Sequence, residues 1–334
     1  MTRSANEILM ATISEESALI DAAMQTDIDG LATRVDQVLA DVLRYSLFNG
    51  GKRIRPLLAV LAARLCGRSD PEIYQLARAF EYLHAATLMH DDVIDKADTR
   101  RGRPSVHVQF GMVAAILGGD FLHARSMAIV GELAGSEALN VFSDATGRMV
   151  DGEFLQMRNA ACFNLSEEDY QRAILEKTGL LIAAACEVGV LWAGGTQEQR
   201  SALREYGLCL GCAFQVIDDL LDYQGKAAAT GKQVGNDLVE GKMTYPLIVT
   251  VQRAGKTDRE RLRQIIGDPE LRRTALDEVT GLMIKYDGFR MARLKAEEMA
   301  IASLQPLAIF SDKVNGRERT AMEGLVQYVI NREK

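Results

Sequence analysis

Two short segments of this sequence repeat one arrangement of carboxylates. Residues 91–95 and residues 218–222 both read Asp-Asp-x-x-Asp, and each lies in apolar sequence that is typical of a helix. Residues four apart share one face of a helix, so Asp91 and Asp95 point the same way, and the second motif repeats this geometry. Like charges at this spacing destabilise a helix, and a divalent cation with oxygen ligands would relieve the repulsion. The predicted metal ligands are Asp91, Asp92, Asp95, Asp218, Asp219 and Asp222.

Three basic segments that contain glycine accompany the aspartates, at residues 50–56, 95–103 and 225–242. A basic loop by itself is usually solvated surface. Here three basic segments occur together with two carboxylate clusters, in a chain whose formal net charge is −7. This combination predicts a site for metal and a phosphate polyanion. Mg²⁺ takes one or two carboxylates and fills its other positions with water and phosphate oxygens. Two facing clusters could therefore hold two or three Mg²⁺ around one diphosphate and stabilise it as a leaving group.

The sequence lacks the motifs that several other classes of enzyme require. The sequence has no Gly-x-x-x-x-Gly-Lys-Ser/Thr loop, no nucleophile elbow and only four histidines. Phosphoryl transfer to a nucleotide and Ser-His-Asp hydrolysis are therefore disfavoured. Expelling diphosphate to leave a carbocation needs a dry, apolar cavity and no protein nucleophile, and apolar residues within 83–89 and 213–217 precede the two motifs.

Apolar residues recur at helical spacing through most of the chain, and no useful length alternates with period two. The clearest helical segments are residues 59–66, 73–90, 113–133, 137–155, 169–192 and 196–223. No Pro- or Ser-rich linker divides these segments. We therefore predict an all-α fold that forms a single domain over residues 1–334.

Composition narrows the class of protein further. The acidic net charge gives no global attraction to nucleic acid. Residues 1–10 are too polar for a signal peptide, and no uncharged apolar run reaches about 18 residues, so we expect a cytoplasmic protein. The odd number of cysteines, five, without a secretion signal argues against a disulfide framework.

Five ordered segments together resemble the trans-isoprenyl diphosphate synthases, the polyprenyl synthetase family. These segments are residues 50–56, residues 81–102, the pair Lys177-Thr178, residues 214–222 and residues 231–246. The resemblance implies the isoprenoid synthase type I fold, with roughly a dozen helices in a bundle around a central cavity. It also implies a homodimer.

The resemblance assigns roles residue by residue. The two aspartate motifs would bind Mg²⁺ on the allylic diphosphate. Side chains that contact this diphosphate would be Arg100, Lys177, Lys232 and Lys242. Thr178 and Gln215 would line the reacting centre. Isopentenyl diphosphate would be held by Lys52, Arg55, His84 and Arg101. The implied catalytic set is Asp91, Asp92, Asp95, Lys177, Asp218 and Asp219.

His84 needs an argument of its own, because a lone histidine on an apolar helix face is most often a core residue. Seven residues, about two helical turns, separate it from Asp91, so it shares the face of the first motif. Together with the resemblance, this spacing favours contact with substrate.

The length of the product is indicated by residues near the first motif. In the family the growing chain enters a tunnel beneath this motif, and short-chain members carry bulky aromatics one turn before it. Ala86 and Thr87 are small, so we expect a medium or long polyprenyl chain, most like the octaprenyl products used for quinone side chains. Heptaprenyl and nonaprenyl products are equally compatible. Met127 and Val130 are candidates for the tunnel floor, and ordinary core packing explains them about as well.

Three alternatives remain open. A shorter-chain farnesyl or geranylgeranyl synthase would use the same motifs. A class I terpene cyclase shares the fold, but it takes one substrate and generally lacks the isopentenyl loop that Lys52 and Arg55 mark here. A non-catalytic partner subunit would have lost aspartates, and both motifs are complete. We expect isopentenyl diphosphate and an allylic diphosphate as substrates, and a transient membrane contact when the lipid product leaves.

Overall fold

The computed structural model describes residues 5–224 and 234–332, and the prediction of an all-α fold is confirmed. The helices before residue 225 are α1 (Ala5–Ala32), α2 (Gln37–Leu47), α3 (Ile54–Leu65), α4 (Ile73–Ile94), α5 (Val106–Phe110), α6 (Met112–Ala161), α7 (Glu167–Ile174), α8 (Leu180–Ala193) and α9 (Gln197–Gln224). Those after residue 233 are α10 (Asn236–Glu240), α11 (Tyr245–Arg253), α12 (Lys256–Gly267), α13 (Pro269–Thr274), α14 (Leu276–Lys285), α15 (Gly288–Ala302) and α16 (Asp312–Ile330). Within the described ranges, strand structure is limited to one antiparallel hairpin of β1 (Thr99–Arg100) and β2 (Arg103–Pro104).

The chain forms two compact units. The first comprises Met1–Asp144, Ala184–Arg204 and Leu307–Leu325, and the second comprises Ala145–Ala183, Glu205–Pro306 and Val326–Lys334. Helices α6, α8, α9 and α16 contribute residues to both units. Whether residues 1–334 act as one domain stays a prediction.

The core of the first unit is built on α3 and α4, which are buried on almost every side. Helix α4 packs on α3 and on α1. Glycine allows the closest approach, since a Cβ added to Gly189 in α8 would lie 2.3 Å from the carbonyl oxygen of Ala59. Phe80 and Phe142 meet edge to face, with ring centroids 5.1 Å apart, the geometry that aromatic quadrupoles favour.

The second unit places α9 against the beginning of α8 and the residue just before it. A Cβ added to Gly207 would lie 2.5 Å from the Cα of Ala183, and one added to Gly211 would lie 2.8 Å from the Cα of Gly179. These small residues let the two backbones approach closely. Between α7 and α8, Leu175–Gly179 form one π-helical turn, a feature that is frequent at functional sites.

Helix α6 joins the two segments predicted at residues 113–133 and 137–155. The break between them is real, because Gly135 has φ 80° and ψ −177°, a conformation that is essentially restricted to glycine. By length and composition, Met112–Ala160 is the one described helix that is apolar enough to cross a membrane. Core helices of soluble proteins share this property.

Candidate active site

The first aspartate motif lies at the carboxyl end of α4, and its three carboxylates are not equivalent. Asp91 and Asp95 are one turn apart, and the Asp95 N–H donates to the Asp91 carbonyl. Asp92 is buried and is held by Arg100, whose Nε lies 2.8 Å and 3.0 Å from the two carboxylate oxygens and whose Nη2 lies 2.6 Å from Oδ1. Arg100, predicted to contact diphosphate, is therefore fixed beside the motif.

The hairpin that follows the motif positions Arg101. The central residues of its turn, Arg101 and Gly102, have φ of 52° and 74°, as a type I′ turn requires. The Arg101 guanidinium donates to the carbonyl oxygens of Asn49 and Gly50. A Cβ added to Gly51 would lie 2.9 Å from the Arg101 guanidinium. The second glycine of the Gly-Gly pair thus permits the close approach of the hairpin to the basic loop.

Arg53 anchors the basic loop at residues 50–53. Its side chain is 3% exposed and donates to Asp21 (2.8 Å), Glu81 (2.5 Å) and the Leu47 carbonyl (2.8 Å). Its φ of 50° is left-handed, which costs free energy in a non-glycine residue. The buried ion pair with Glu81 joins the basic loop to α4, the helix that also carries His84. Arg53 and Glu81 were not predicted as site residues, although they lie within residues 50–56 and 81–102.

Two of the residues predicted to hold isopentenyl diphosphate, Arg55 and Arg101, bring their charges close to a third, His84. Burial lowers the pKa of His84 well below its usual value of 6.5, and the positive charges of Arg55, Arg101 and Arg100 lower it further. Burial likewise lowers the pKa of Arg101. The Lys52 carbonyl accepts a hydrogen bond from Ser17. The positive charges that surround His84 make this an environment that a phosphate group would stabilise.

The second motif lies in the last two turns of α9, where Asp219 is the buried member. Its Oδ2 accepts from the Tyr170 hydroxyl at 2.6 Å, and its Oδ1 accepts from the Gln215 amide at 3.0 Å. The carbonyl of Gln215 accepts from the Thr178 hydroxyl at 2.7 Å. The predicted pair Thr178 and Gln215 is therefore in direct contact and linked to the motif. Tyr170 was not predicted.

Asp237 is a further carboxylate beside this motif. Burial raises the pKa of Asp219 to about 8, and the charge of Asp237 is the second cause. Burial also raises the pKa of Asp237, while Lys242 lowers it from 3.4 Å away. The Asp237 backbone N–H donates to Asp222 at 2.9 Å. Asp237 was missed, and the available signal was an acidic residue between Gly235 and Gly241 in the segment already quoted for its lysines.

The π-helical turn carries Lys177 and Thr178. Lys177 Nζ lies 2.6 Å from Glu153 and 3.0 Å from Gln156, both on α6. A Cβ added to Gly152 would lie 2.8 Å from the Lys177 backbone nitrogen. The second unit thus brings Lys177 against α6 through a glycine contact that the sequence did not reveal.

The first aspartate of the second motif, Asp218, has a partner near the carboxyl end of the chain. Asp218 is paired with Arg332 at 3.3 Å, and the same guanidinium lies 4.4 Å from the Phe214 ring centroid. Because 114 positions separate Asp218 from Arg332, no local pattern could have indicated this pair. Lys232, predicted to contact diphosphate, lies outside the described residues.

The part of the chain that the structure describes contains no closed cluster of metal ligands. Among residues 5–224 and 234–332, no three His, Cys, Asp or Glu side chains converge closely enough to hold an ion. Open sites with few carboxylates are typical of Mg²⁺, which takes its remaining ligands from water and substrate phosphates. The oxygen donors of both motifs are of the type that this ion prefers.

The candidate chain-length residues lie in the first unit. Ala86 is buried and Thr87 partly buried on α4, where the Thr87 hydroxyl donates to the His84 carbonyl at 2.9 Å. On α6, Val130 is fully buried and Met127 partly buried.

Comparison with known proteins decides the family. The family model for polyprenyl synthetases matches residues 36–283. The chain belongs to the polyprenyl synthetase family. Octaprenyl diphosphate synthase from Haemophilus influenzae is 36% identical over 306 residues, 91% of this chain and 93% of that protein. A short chain isoprenyl diphosphate synthase from Methanothermobacter thermautotrophicus is 35% identical and covers 85% of this chain and 87% of its own length.

A solved member of the family shares the whole fold. The polyprenyl synthase of Caulobacter crescentus, crystallised with calcium and isoprenyl diphosphate, is 33% identical, covers 100% of both chains and has a TM-score of 0.91. The resemblance in the sequence is thereby confirmed. The protein is an enzyme, a prenyltransferase of the trans-polyprenyl diphosphate synthase type.

Proposed function

We propose that this prenyltransferase condenses isopentenyl diphosphate with an allylic diphosphate, in the presence of Mg²⁺, to build a long polyprenyl diphosphate of E configuration. The observation that carries the proposal is the basic group around His84, in which Arg55 and Arg101 have the largest electrostatic effects on the histidine. A terpene cyclase binds one diphosphate and has no need of a second basic group besides its aspartate motifs. The proposal treats residues 1–334 as one polyprenyl synthetase domain.

Mg²⁺ fits the donor set of both motifs. The charge of Asp237 raises the pKa of Asp219, and the charge of Asp218 raises the pKa of Asp237. A cation near them would relieve this repulsion, which Lys242 offsets only in part. The residues that would hold two or three ions are Asp91, Asp92, Asp95, Asp218, Asp219 and Asp222, with Asp237 added. When bound, Mg²⁺ supplies electrostatic stabilisation of the departing diphosphate.

The basic side chains divide between the two substrates. We assign Lys52, Arg55, His84 and Arg101 to isopentenyl diphosphate, since Arg55 and Arg101 are two of the cations that surround His84. We assign Arg100, Lys177, Lys232 and Lys242 to the allylic diphosphate. Arg100 is held by Asp92 and Lys177 by Glu153, so both cations are oriented before substrate arrives, which lowers the cost of binding.

The proposed reaction breaks the bond between C1 of the allylic substrate and its diphosphate oxygen. The double bond of isopentenyl diphosphate attacks C1 of the cation and forms the new carbon–carbon bond. A proton then leaves the condensed cation for the departing diphosphate, with no dedicated protein base. Thr178 and Gln215, joined by their hydrogen bond, would present fixed dipoles to the developing cation.

Product length is proposed from Ala86 and Thr87, whose small side chains leave space one turn before Asp91. Met127 and Val130 on α6 are candidates for the tunnel floor. An octaprenyl product agrees with the name of the Haemophilus relative, and we propose that it serves for quinone side chains. A shorter product is the second candidate, because a short-chain relative is almost as similar.

The proposed partners are a second copy of the chain and, transiently, a membrane surface. The amino end of α6 exposes four apolar side chains, Met112, Val113, Ile116 and Leu117, which one helical face brings together. A homodimer would cover this patch. We propose a cytoplasmic location, with the membrane contacted only when the lipid product leaves.

The test is a product assay with labelled isopentenyl diphosphate, farnesyl diphosphate and Mg²⁺, followed by dephosphorylation and separation by chain length. We expect a ladder that ends near the octaprenyl class and disappears when EDTA replaces Mg²⁺. A product one or two units beyond the primer would favour the short-chain alternative. Absence of a Mg²⁺-dependent product with every allylic primer would overturn the proposed function.

A further inference from the structure

A surface cavity in the second unit shares no residue with the candidate active site. It has a volume of about 650 Å³, within the range of small-molecule sites. Its wall is formed by the loop after α6, including Cys162 and Phe163, and by one face of α12. Residues Lys256, Arg259 and Arg263 recur on that face at helical spacing and all line the cavity.

Two of these cations are held in place by the protein. Arg259 donates its Nε to the Val251 carbonyl at 3.0 Å and its Nη2 to the Gln252 carbonyl at 2.7 Å, at the end of α11. The guanidinium of Arg263 lies 5.5 Å from the Phe163 ring centroid, within the range of a cation–π interaction. Their positions are therefore fixed before any ligand binds.

The charge of the cavity is not balanced. Glu260 is the one carboxylate among its lining residues. Within residues 5–224 and 234–332, Lys256, Arg259 and Arg263 form no ion pair with any carboxylate, whereas their helix neighbour Arg261 is paired with Glu278. Three unpaired cations on one face, in a protein of net charge −7, would be stabilised by a multiply charged anion. A guanidinium can donate hydrogen bonds to two phosphate oxygens at once.

We propose that this cavity is a second, non-catalytic binding site for a compact phosphate polyanion, of which inorganic diphosphate is the representative. Binding at the cavity follows from its charge and geometry alone. The choice of diphosphate as the natural ligand rests on the proposed function, in which each condensation releases one diphosphate.

Cys162 provides a reporter that turnover does not affect. It is the exposed cysteine of the five and lines the cavity. Burial raises the pKa of Cys66 to about 11 and of Cys212 to about 12, and it also raises those of Cys186 and Cys209. Because thiolates are the reactive form, the dianionic disulfide reagent DTNB should label Cys162 in a fast phase of its own at pH 8. The Cys162→Ser variant should lack this phase.

The experiment measures the rate of that fast phase in the full chain, in EDTA, with and without inorganic diphosphate at constant ionic strength. We expect saturating diphosphate to slow labelling at least fivefold, and monophosphate to act only at higher concentration. The midpoint is the diphosphate concentration that gives half of the maximal slowing of labelling. In the Lys256→Ala/Arg263→Ala double variant this midpoint should rise at least tenfold. The matched control Arg261→Ala/Arg290→Ala removes two charges of the same unit outside the cavity and should keep the wild-type midpoint.

Equal slowing by chloride at the same ionic strength would overturn the inference, as would an unchanged midpoint in the double variant. Equal protection by geranyl diphosphate would support the site and extend it to the diphosphate end of prenyl substrates. The assay needs no catalysis. Product formation without protection would therefore reject this site alone, and protection without product formation would reject the proposed function alone.

Discussion

At the scale of single residues, the two aspartate motifs share a sequence but not the environment of each carboxylate. The middle aspartate is the buried member in both, with Asp92 held by Arg100 and Asp219 by Tyr170 and Gln215. The first and last aspartates of each motif share the face that the spacing of four predicts. Their carboxylates are therefore the better placed to meet a metal.

We predict that Asp91→Ala and Asp218→Ala each lower kcat by a factor of at least about 10²–10³, the usual loss when one electrostatic contact to a developing charge is removed. The fold should survive, because each change removes a charge from a crowded helix face. Steady-state kinetics with circular dichroism check both points. Near-normal rates in either variant would refute the assignment of the metal site.

His84 should stay neutral in the free enzyme down to well below pH 6.5, since its pKa is lowered by burial and by the surrounding arginines. The unfolded chain protonates this group near pH 6.5. The folded state then binds fewer protons, so the contribution of His84 to stability falls as the pH drops below that value. Bound diphosphate adds negative charge and should raise the pKa. An NMR titration of labelled histidine, with and without isopentenyl diphosphate, measures both effects, and an unchanged pKa would contradict the contact.

At the scale of the elements, one buried ion pair fixes the basic loop at residues 50–53 to α4. Arg53→Ala would leave Glu81 buried without its partner, which costs about 3–5 kcal/mol in typical proteins. We expect a lower melting temperature and a raised KM for isopentenyl diphosphate, with the KM for the allylic substrate little changed. Arg53→Lys should recover part of both losses. An equal rise in both KM values would argue that the pair supports the fold alone.

The approach of α6 to the π-helical turn depends on Gly152. Gly152→Ala puts a methyl 2.8 Å from the Lys177 backbone nitrogen, and overpacking of this kind costs about 1–3 kcal/mol. We expect lower stability and lower kcat, because Lys177 must move. Gly147→Ala, on the same helix with no atom within 4 Å of the added Cβ, is the matched control. It should be neutral or stabilising, as alanine favours helix.

At the scale of the whole molecule, the quantity that the fold must set is the length of the product. If the space beside Ala86 admits the growing chain, Ala86→Phe should block it and shift the product distribution to shorter chains. The rate of the first condensation should change little, because diphosphate binding is untouched. Chromatography of dephosphorylated products measures the shift. An unchanged ladder would remove Ala86 from the tunnel wall.

Much of the fold was determined by the sequence itself. The apolar periodicity predicts helices that the structure places within a few residues, such as α4 and α9, and the segments 113–133 and 137–155 meet at the glycine conformation of Gly135. The candidate site was predictable where its geometry is local, because helical spacing alone puts Asp91 and Asp95 on one face.

Only the tertiary structure decided which partners these residues have. Arg332 reaches Asp218 across 114 positions, and Tyr170 reaches Asp219 across 49. The crowding of Asp219 by Asp237 and the enclosure of His84 by arginines likewise depend on how separate segments pack. Periodicity reports the face of a helix that is buried. It carries no information about the distant side chain that meets this face, and it is this contact that sets burial, charge and pKa.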